Sequence, residues 1–151
     1  GLWIDATVLC TGNSWNKIKE NKLFVYRNGW MDMEYINMAS WLIYSKSNNN
    51  ILLLTQELLY EYWKKNNYLV NYFLFHIFFK MATEKYEEEW KQVPYYSQID
   101  NHLLANELMN NFDEKRYNEI KSLTNFHKLT YKLQIDKNTD KTTFYDKIIE
   151  E

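Results

Sequence analysis

An α/β domain is the fold class this sequence predicts, and three observations point to it. β-favouring runs at residues 1–9, 23–27 and 38–45 stand among stretches whose apolar residues recur at helical spacing, most clearly over 49–65. Aromatic residues make up 18% of the chain against three Gly and one Pro, a composition of a packed, helix-rich globule rather than of disorder. The length of 151 residues suits one domain with a sizeable core. A formal charge of −2, from 18 basic and 20 acidic residues, gives no electrostatic case for nucleic acid as a partner. The single cysteine, Cys10, excludes an internal disulfide and fits a reducing compartment.

Taken in order, Gly1 to Leu9 reads as a buried strand, too short for a helix, with Trp3, Asp5 and Thr7 on one face and Leu2, Ile4, Ala6 and Val8 on the other. Thr11-Gly-Asn-Ser14 reads as a turn whose Ser14 caps a short helix over Trp15 to Glu20. Leu23 to Arg27 has strand character, and Asn28-Gly29 is a turn signal. Met38 to Ser45 is apolar on both faces, as a central strand covered on both sides would be. Ser47-Asn-Asn-Asn50 caps a helix to Lys65 built on Ile51, Leu54, Leu58 and Tyr62.

Tyr68 to Lys85 is expected as a second helix. Its apolar part is shorter than the ~20 residues of a bilayer span, which leaves a core helix, the reading favoured here, or a membrane-surface element. Glu84 to Lys91 is a charged, solvated segment, and Val93-Pro94-Tyr95-Tyr96 a loop. Asp100 is expected to cap a helix through Asn110, and Asp113 another through Ser122. Lys128 to Ile135 is either a short strand or an extended tail, and Lys137 to Lys141 a polar linker. Thr143-Phe-Tyr-Asp146 has the spacing of a capping box, with Phe144 over Ile148 in a last helix.

Asp5 is the residue that asks for chemistry. A carboxylate in a buried strand is expensive unless paired or bound to a metal. The plain alternative is an Asp ending a core strand and bonding nearby backbone N–H groups. Ligands of α/β sheets sit beyond the carboxyl ends of strands, near where Asp5 falls. No Gly-rich phosphate loop, paired-cysteine zinc spacing or Gly-x-Ser-x-Gly elbow is present in the sequence.

Gly-Leu-Trp-Ile-Asp-Ala-Thr-Val at residues 1–8 resembles the signature of the capsular polysaccharide synthesis family, glycosyltransferases of the GT-A fold. Related sugar transferases carry Gly-Gly-x-Tyr-x-Asp-x-Asp there. The resemblance continues through Ala39-Ser-Trp-Leu-Ile43, Asn71-Tyr-Phe-Leu-Phe-His76, Val93-Pro94 and His127-Lys-Leu-Thr-Tyr-Lys132. It implies a partial GT-A (nucleotide-diphospho-sugar transferase) fold, a helix-rich C-terminal portion with a few strands. Residues 1–151 are then one domain, the C-terminal part of a glycosyltransferase whose nucleotide-binding half precedes Gly1, and a poor catalyst by themselves.

The implied reaction moves a sugar from a nucleotide-sugar donor onto a capsular polysaccharide or glycolipid acceptor. A divalent cation, Mn²⁺ or Mg²⁺, would assist departure of the nucleoside diphosphate. The implied place is the cytoplasm, with peripheral association at the inner face of the membrane. By the same resemblance Asp5, Asn71 and His76 are the catalytic candidates, and Trp3, Thr7, Trp41, Lys128 and Lys132 the donor-binding ones. Asp5 and His127 are the expected metal ligands. Thr7 stands where the family pattern has its second carboxylate, which weakens direct metal ligation.

Each assignment has its plain counterpart: a satisfied core histidine at 76, a packed tryptophan at 41, a surface histidine and solvated lysines at 127–132. The rival to the enzyme is an aromatic-rich module that binds a glycan or a protein without catalysis.

Overall fold

The computed structural model describes residues 1–28, 34–133 and 142–150. The turn signal at Asn28-Gly29, the end of the expected 128–135 segment and the 137–141 linker fall wholly or partly outside them. Among the described residues five strands and seven α-helices form a mixed α/β chain that divides into two compact units, Gly1–Ile4 with Trp15–Gln98 and Asp5–Ser14 with Ile99–Glu151.

The first unit is built on a three-stranded antiparallel sheet of β1 (Leu2–Ile4), β3 (Leu23–Arg27) and β4 (Met38–Ser45), in the order β1-β4-β3. As its two-faced apolar pattern predicts, β4 is central, with Met38, Ala39, Trp41, Leu42, Tyr44 and Ser45 buried. The short helix α1 (Trp15–Lys19) sets Trp15 edge-on to Tyr44. Two further helices pack on each other, α2 (Asn50–Lys65) and α3 (Leu74–Lys85). Asn49 caps α2 by accepting a hydrogen bond from the Leu52 N–H.

Leu23, Val25, Met38, Ile51, Phe79, Ala82 and Val93 form the core of this unit. Trp90, on the following helix α4 (Glu87–Lys91), packs against that core and lies 3.4 Å beneath the Arg27 guanidinium. Burial lowers the pKa of that guanidinium to about 10, and it stays charged.

The second unit pairs β2 (Val8–Cys10) with β5 (Phe126–Lys128), antiparallel, in the register Val8↔Lys128, Leu9↔His127 and Cys10↔Phe126. A 3₁₀ turn over Asp100–His102 runs into α5 (Leu103–Glu107), followed by α6 (Glu114–Leu123) and α7 (Phe144–Glu150). Leu104, Tyr117, Ile120 and Phe144 are the core, with Leu9, Phe112, Leu129 and Ile148 against it. Asp113 caps α6 through the Arg116 N–H. The expected capping box is reciprocal: Thr143 N–H donates to Asp146 Oδ2 at 2.8 Å, and Asp146 N–H to Thr143 Oγ1 at 3.2 Å.

Several expectations are corrected. Gly1 to Leu9 is not one strand; it breaks at Asp5-Ala-Thr7 into β1 and β2, which join different sheets. Asp5 is therefore a turn residue, not a buried strand residue. Because both sheets are antiparallel, the rule about carboxyl ends of parallel strands does not locate a site here.

The second helix starts at Leu74, not Tyr68, because the Asn71 carboxamide takes the Phe73 N–H into a local turn. Tyr68, Leu69, Val70 and Tyr72 are exposed, while Leu74 and Phe79 are core. Among the described residues no helix is long and apolar enough to cross a membrane. Asp100 lies inside the 3₁₀ turn rather than capping it. The charged 84–91 stretch includes the helix α4, and the late strand is 126–128.

Candidate functional site

The one place where expected site residues meet is the turn between β1 and β2. Asp5 folds its carboxylate back on the chain, its Oδ1 accepting from the Thr7 N–H at 2.8 Å and the Thr7 hydroxyl at 2.6 Å. The Val8 N–H donates to the Asp5 carbonyl, and the Leu129 N–H to the Thr7 carbonyl. The β2–β5 register sets Val8 opposite Lys128, so the lysine reaches back over this turn. Its ammonium donates to the Thr7 hydroxyl, to the Leu129 carbonyl at 3.3 Å and to Asp5 Oδ1 at 3.5 Å.

The Thr7 hydroxyl and N–H hold the Asp5 carboxyl below its ordinary pKa, and the Lys128 charge adds to that. The site stays reachable, with the two side chains 40% and 21% exposed. A cleft of about 280 Å³ opens beside Thr7, lined also by Ala6, Leu129, Thr130 and Tyr131. Its volume falls just below the range of small-molecule pockets, and neither Asp5 nor Lys128 lines it.

The residues present do not suit a divalent cation. Asp5 brings one carboxylate, whose Oδ1 is already held twice by Thr7 and approached by an ammonium. Among the described residues no three His, Cys, Asp or Glu side chains gather to hold a metal. A dication seated on Asp5 would repel that ammonium by about 2 kcal/mol in water, and about 8 kcal/mol at a protein-surface dielectric, for ~4 Å separation.

His127 sits one residue before Lys128 on β5 and so faces the other side of the ribbon. It is fully buried, not a surface histidine, with Nε2 3.0 Å from the Thr11 hydroxyl and Nδ1 without a hydrogen bond of normal geometry. Burial, helped by the positive Lys121, lowers its pKa to about 4, against a weaker opposing effect of the Thr124 carbonyl. The imidazole is neutral and turned toward the interior, and the ribbon does not bring it onto Asp5.

The remaining candidates have other surroundings. Lys132 is exposed, with its ammonium 5.8 Å from the Tyr131 ring centre. Trp3, Trp41, Asn71 and His76 belong to the first unit. Trp3 lies open on β1. Trp41 is buried, stacked on Tyr26 at 4.8 Å and donating from Nε1 to Gln98, so packing accounts for it. Asn71 serves the turn before α3, and His76 lies among Phe73 and Phe75 with its pKa lowered by burial. A further cleft of about 670 Å³ lies in the first unit, where Asn49 and Asn50 of its lining are engaged with the α2 cap and with Glu89.

What sequence reasoning missed is the pairing itself. Asp-x-Thr is a signal for a side-chain-capped turn and could have broken the first strand. Nothing local announces that Lys128 closes over it.

Residues 1–148 match the family described as "Capsular polysaccharide synthesis protein". No match is found among curated proteins or among solved structures.

Proposed function

This chain belongs to the capsular polysaccharide synthesis protein family, and on that premise we propose that it transfers a sugar from a nucleotide-sugar donor to a growing capsular polysaccharide or glycolipid. Membership ties the chain to capsule synthesis and supports sugar or polysaccharide substrates. The observation that carries the finer step is the Asp5–Thr7–Lys128 cluster, a partly exposed cation presented at a turn and seated on a hydroxyl. Lys128 places a point charge where negative charge builds on the departing diphosphate, and the Thr7 hydroxyl adds a donor. The mixed α/β unit is compatible with part of a GT-A-type fold. The reaction takes place on the cytoplasmic side, where the nucleotide sugar is held, with the acceptor at the membrane.

The test is release of nucleoside diphosphate by the intact protein from a panel of nucleotide sugars with a capsular oligosaccharide acceptor. Lys128→Met should lower kcat/KM by about 10²–10³ while the circular dichroism spectrum stays that of the wild type. Absence of turnover with every donor, or full turnover in Lys128→Met, would overturn the assignment.

A further inference from the structure

Resting on the assignment of a sugar-diphosphate donor, we propose that the Lys128 ammonium itself is the cation that meets the donor's diphosphate, and that donor binding needs no divalent metal. Asp5 is then a positioning residue for Lys128 rather than a metal ligand.

Three features of the turn lead there. A dication in a phosphate site depends on carboxylate oxygens with open coordination; here a single carboxylate is present and its Oδ1 is committed to Thr7. Thr7, two residues past Asp5, brings a hydroxyl and no second carboxylate, and that hydroxyl accepts from Lys128. The ammonium thus already engages Asp5 Oδ1 and the Thr7 hydroxyl, two oxygens an ion at this turn would need.

The grip on it is firm on one side and loose on the other. Thr7 and the Leu129 carbonyl hold it at hydrogen-bonding distance, whereas Asp5 Oδ1 is at 3.5 Å, the outer limit of such a bond. A phosphate oxygen can replace that long contact without the ammonium leaving its seat. Thr7 and the Leu129 carbonyl keep the lysine side chain over the turn and Asp5 supplies its counter-charge, so the ammonium does not have to be ordered when a ligand arrives.

The experiment is calorimetric titration of the intact protein with inorganic pyrophosphate, UDP and GDP, each in EDTA and in Mn²⁺. The expected result is binding of at least one diphosphate with the same Kd, within about twofold, in both conditions. Lys128→Met should weaken that binding on the order of tenfold to hundredfold, the range of a lost charge-assisted contact, and Lys128→Arg should restore most of it. Asp5→Asn should weaken binding less than Lys128→Met and equally with and without Mn²⁺. Binding that tightens tenfold or more with Mn²⁺, with the gain abolished in Asp5→Asn, would overturn the inference and leave the donor assignment standing. Binding indifferent to Lys128→Met overturns it too and makes the Asp5–Lys128 pair a structural pin. No binding of any diphosphate in either condition would remove the donor assignment along with the inference.

Discussion

His127 gives the most quantitative prediction, because it is fully buried and its pKa is far from that of a free imidazole. In the folded protein the pKa is lowered from 6.5 to about 4. The folded state therefore prefers the neutral ring. Its contribution is complete above the unfolded pKa of about 6.5 and disappears as pH falls toward the folded value, since the unfolded chain takes up a proton that the fold refuses. At 1.36 kcal/mol per pH unit this one group removes about 2 kcal/mol of stability by pH 5 and about 3 kcal/mol by pH 4.

His127→Gln keeps a polar partner for the Thr11 hydroxyl and cannot titrate. Urea unfolding of both proteins at pH 7, 6, 5 and 4 isolates the effect, because His76, also lowered by burial, contributes to both curves and cancels. The wild type should lose about 3 kcal/mol more than His127→Gln between pH 7 and pH 4. Equal pH dependence, or an NMR titration placing His127 near 6.5, would refute the buried, neutral histidine.

Thr7→Val removes the hydroxyl shared by Asp5 and Lys128; the Asp5 pKa should rise toward the ordinary carboxylate value in a ¹³C NMR titration. At pH 7 stability should fall by about 0.5–1.5 kcal/mol, discounted for an exposed pair. A depressed carboxyl stabilises above its unfolded pKa, so this gap should close as pH drops below about 4. Gly12→Ala puts a Cβ 2.6 Å from Asn125 Oδ1 and 2.8 Å from its Cγ, forcing that side chain off the Ser14 hydroxyl. We expect a loss of about 1–2 kcal/mol, and a double-mutant cycle with Asn125→Ala should show most of it to be shared. Trp41→Phe should lower the melting temperature, through the lost Gln98 contact and lost volume, and leave diphosphate affinity unchanged.

Where a feature depended on neighbours a few residues away, it was legible. The strands 23–27 and 38–45, the Asn49 and Asp113 caps and the Thr143–Asp146 capping box all follow from local chemistry. The first nine residues deceived for the same reason: their alternation is a strand pattern, yet the Asp5 carboxylate takes the Thr7 N–H and turns the chain. At Tyr68–Phe73 the apolar run concealed an Asn71 turn in the same way.

The Asp5–Thr7–Lys128 cluster was legible as single residues, through the family likeness at 1–8 and 127–132. Its assembly was not. That Lys128 returns to Asp5, and that His127 beside it turns inward, depends on a strand register that neither segment carries alone.

The two strands of the β2–β5 ribbon are separated by almost the whole chain, and Asp5 and Lys128 by 123 residues. On a ribosome the Asp5 turn emerges well before its counterpart and waits for it. Its lysine, and the strand that fixes its register, are made only after the residues of the first unit's sheet and core have all been synthesised. Loop closure of this span makes the ribbon a slow, late event compared with the local hairpin-like contacts of the first unit. A chain halted before β5 could fold its first unit and would still lack the cation at its turn. The timing of translation itself thus withholds the Asp5–Lys128 pair from every incomplete copy.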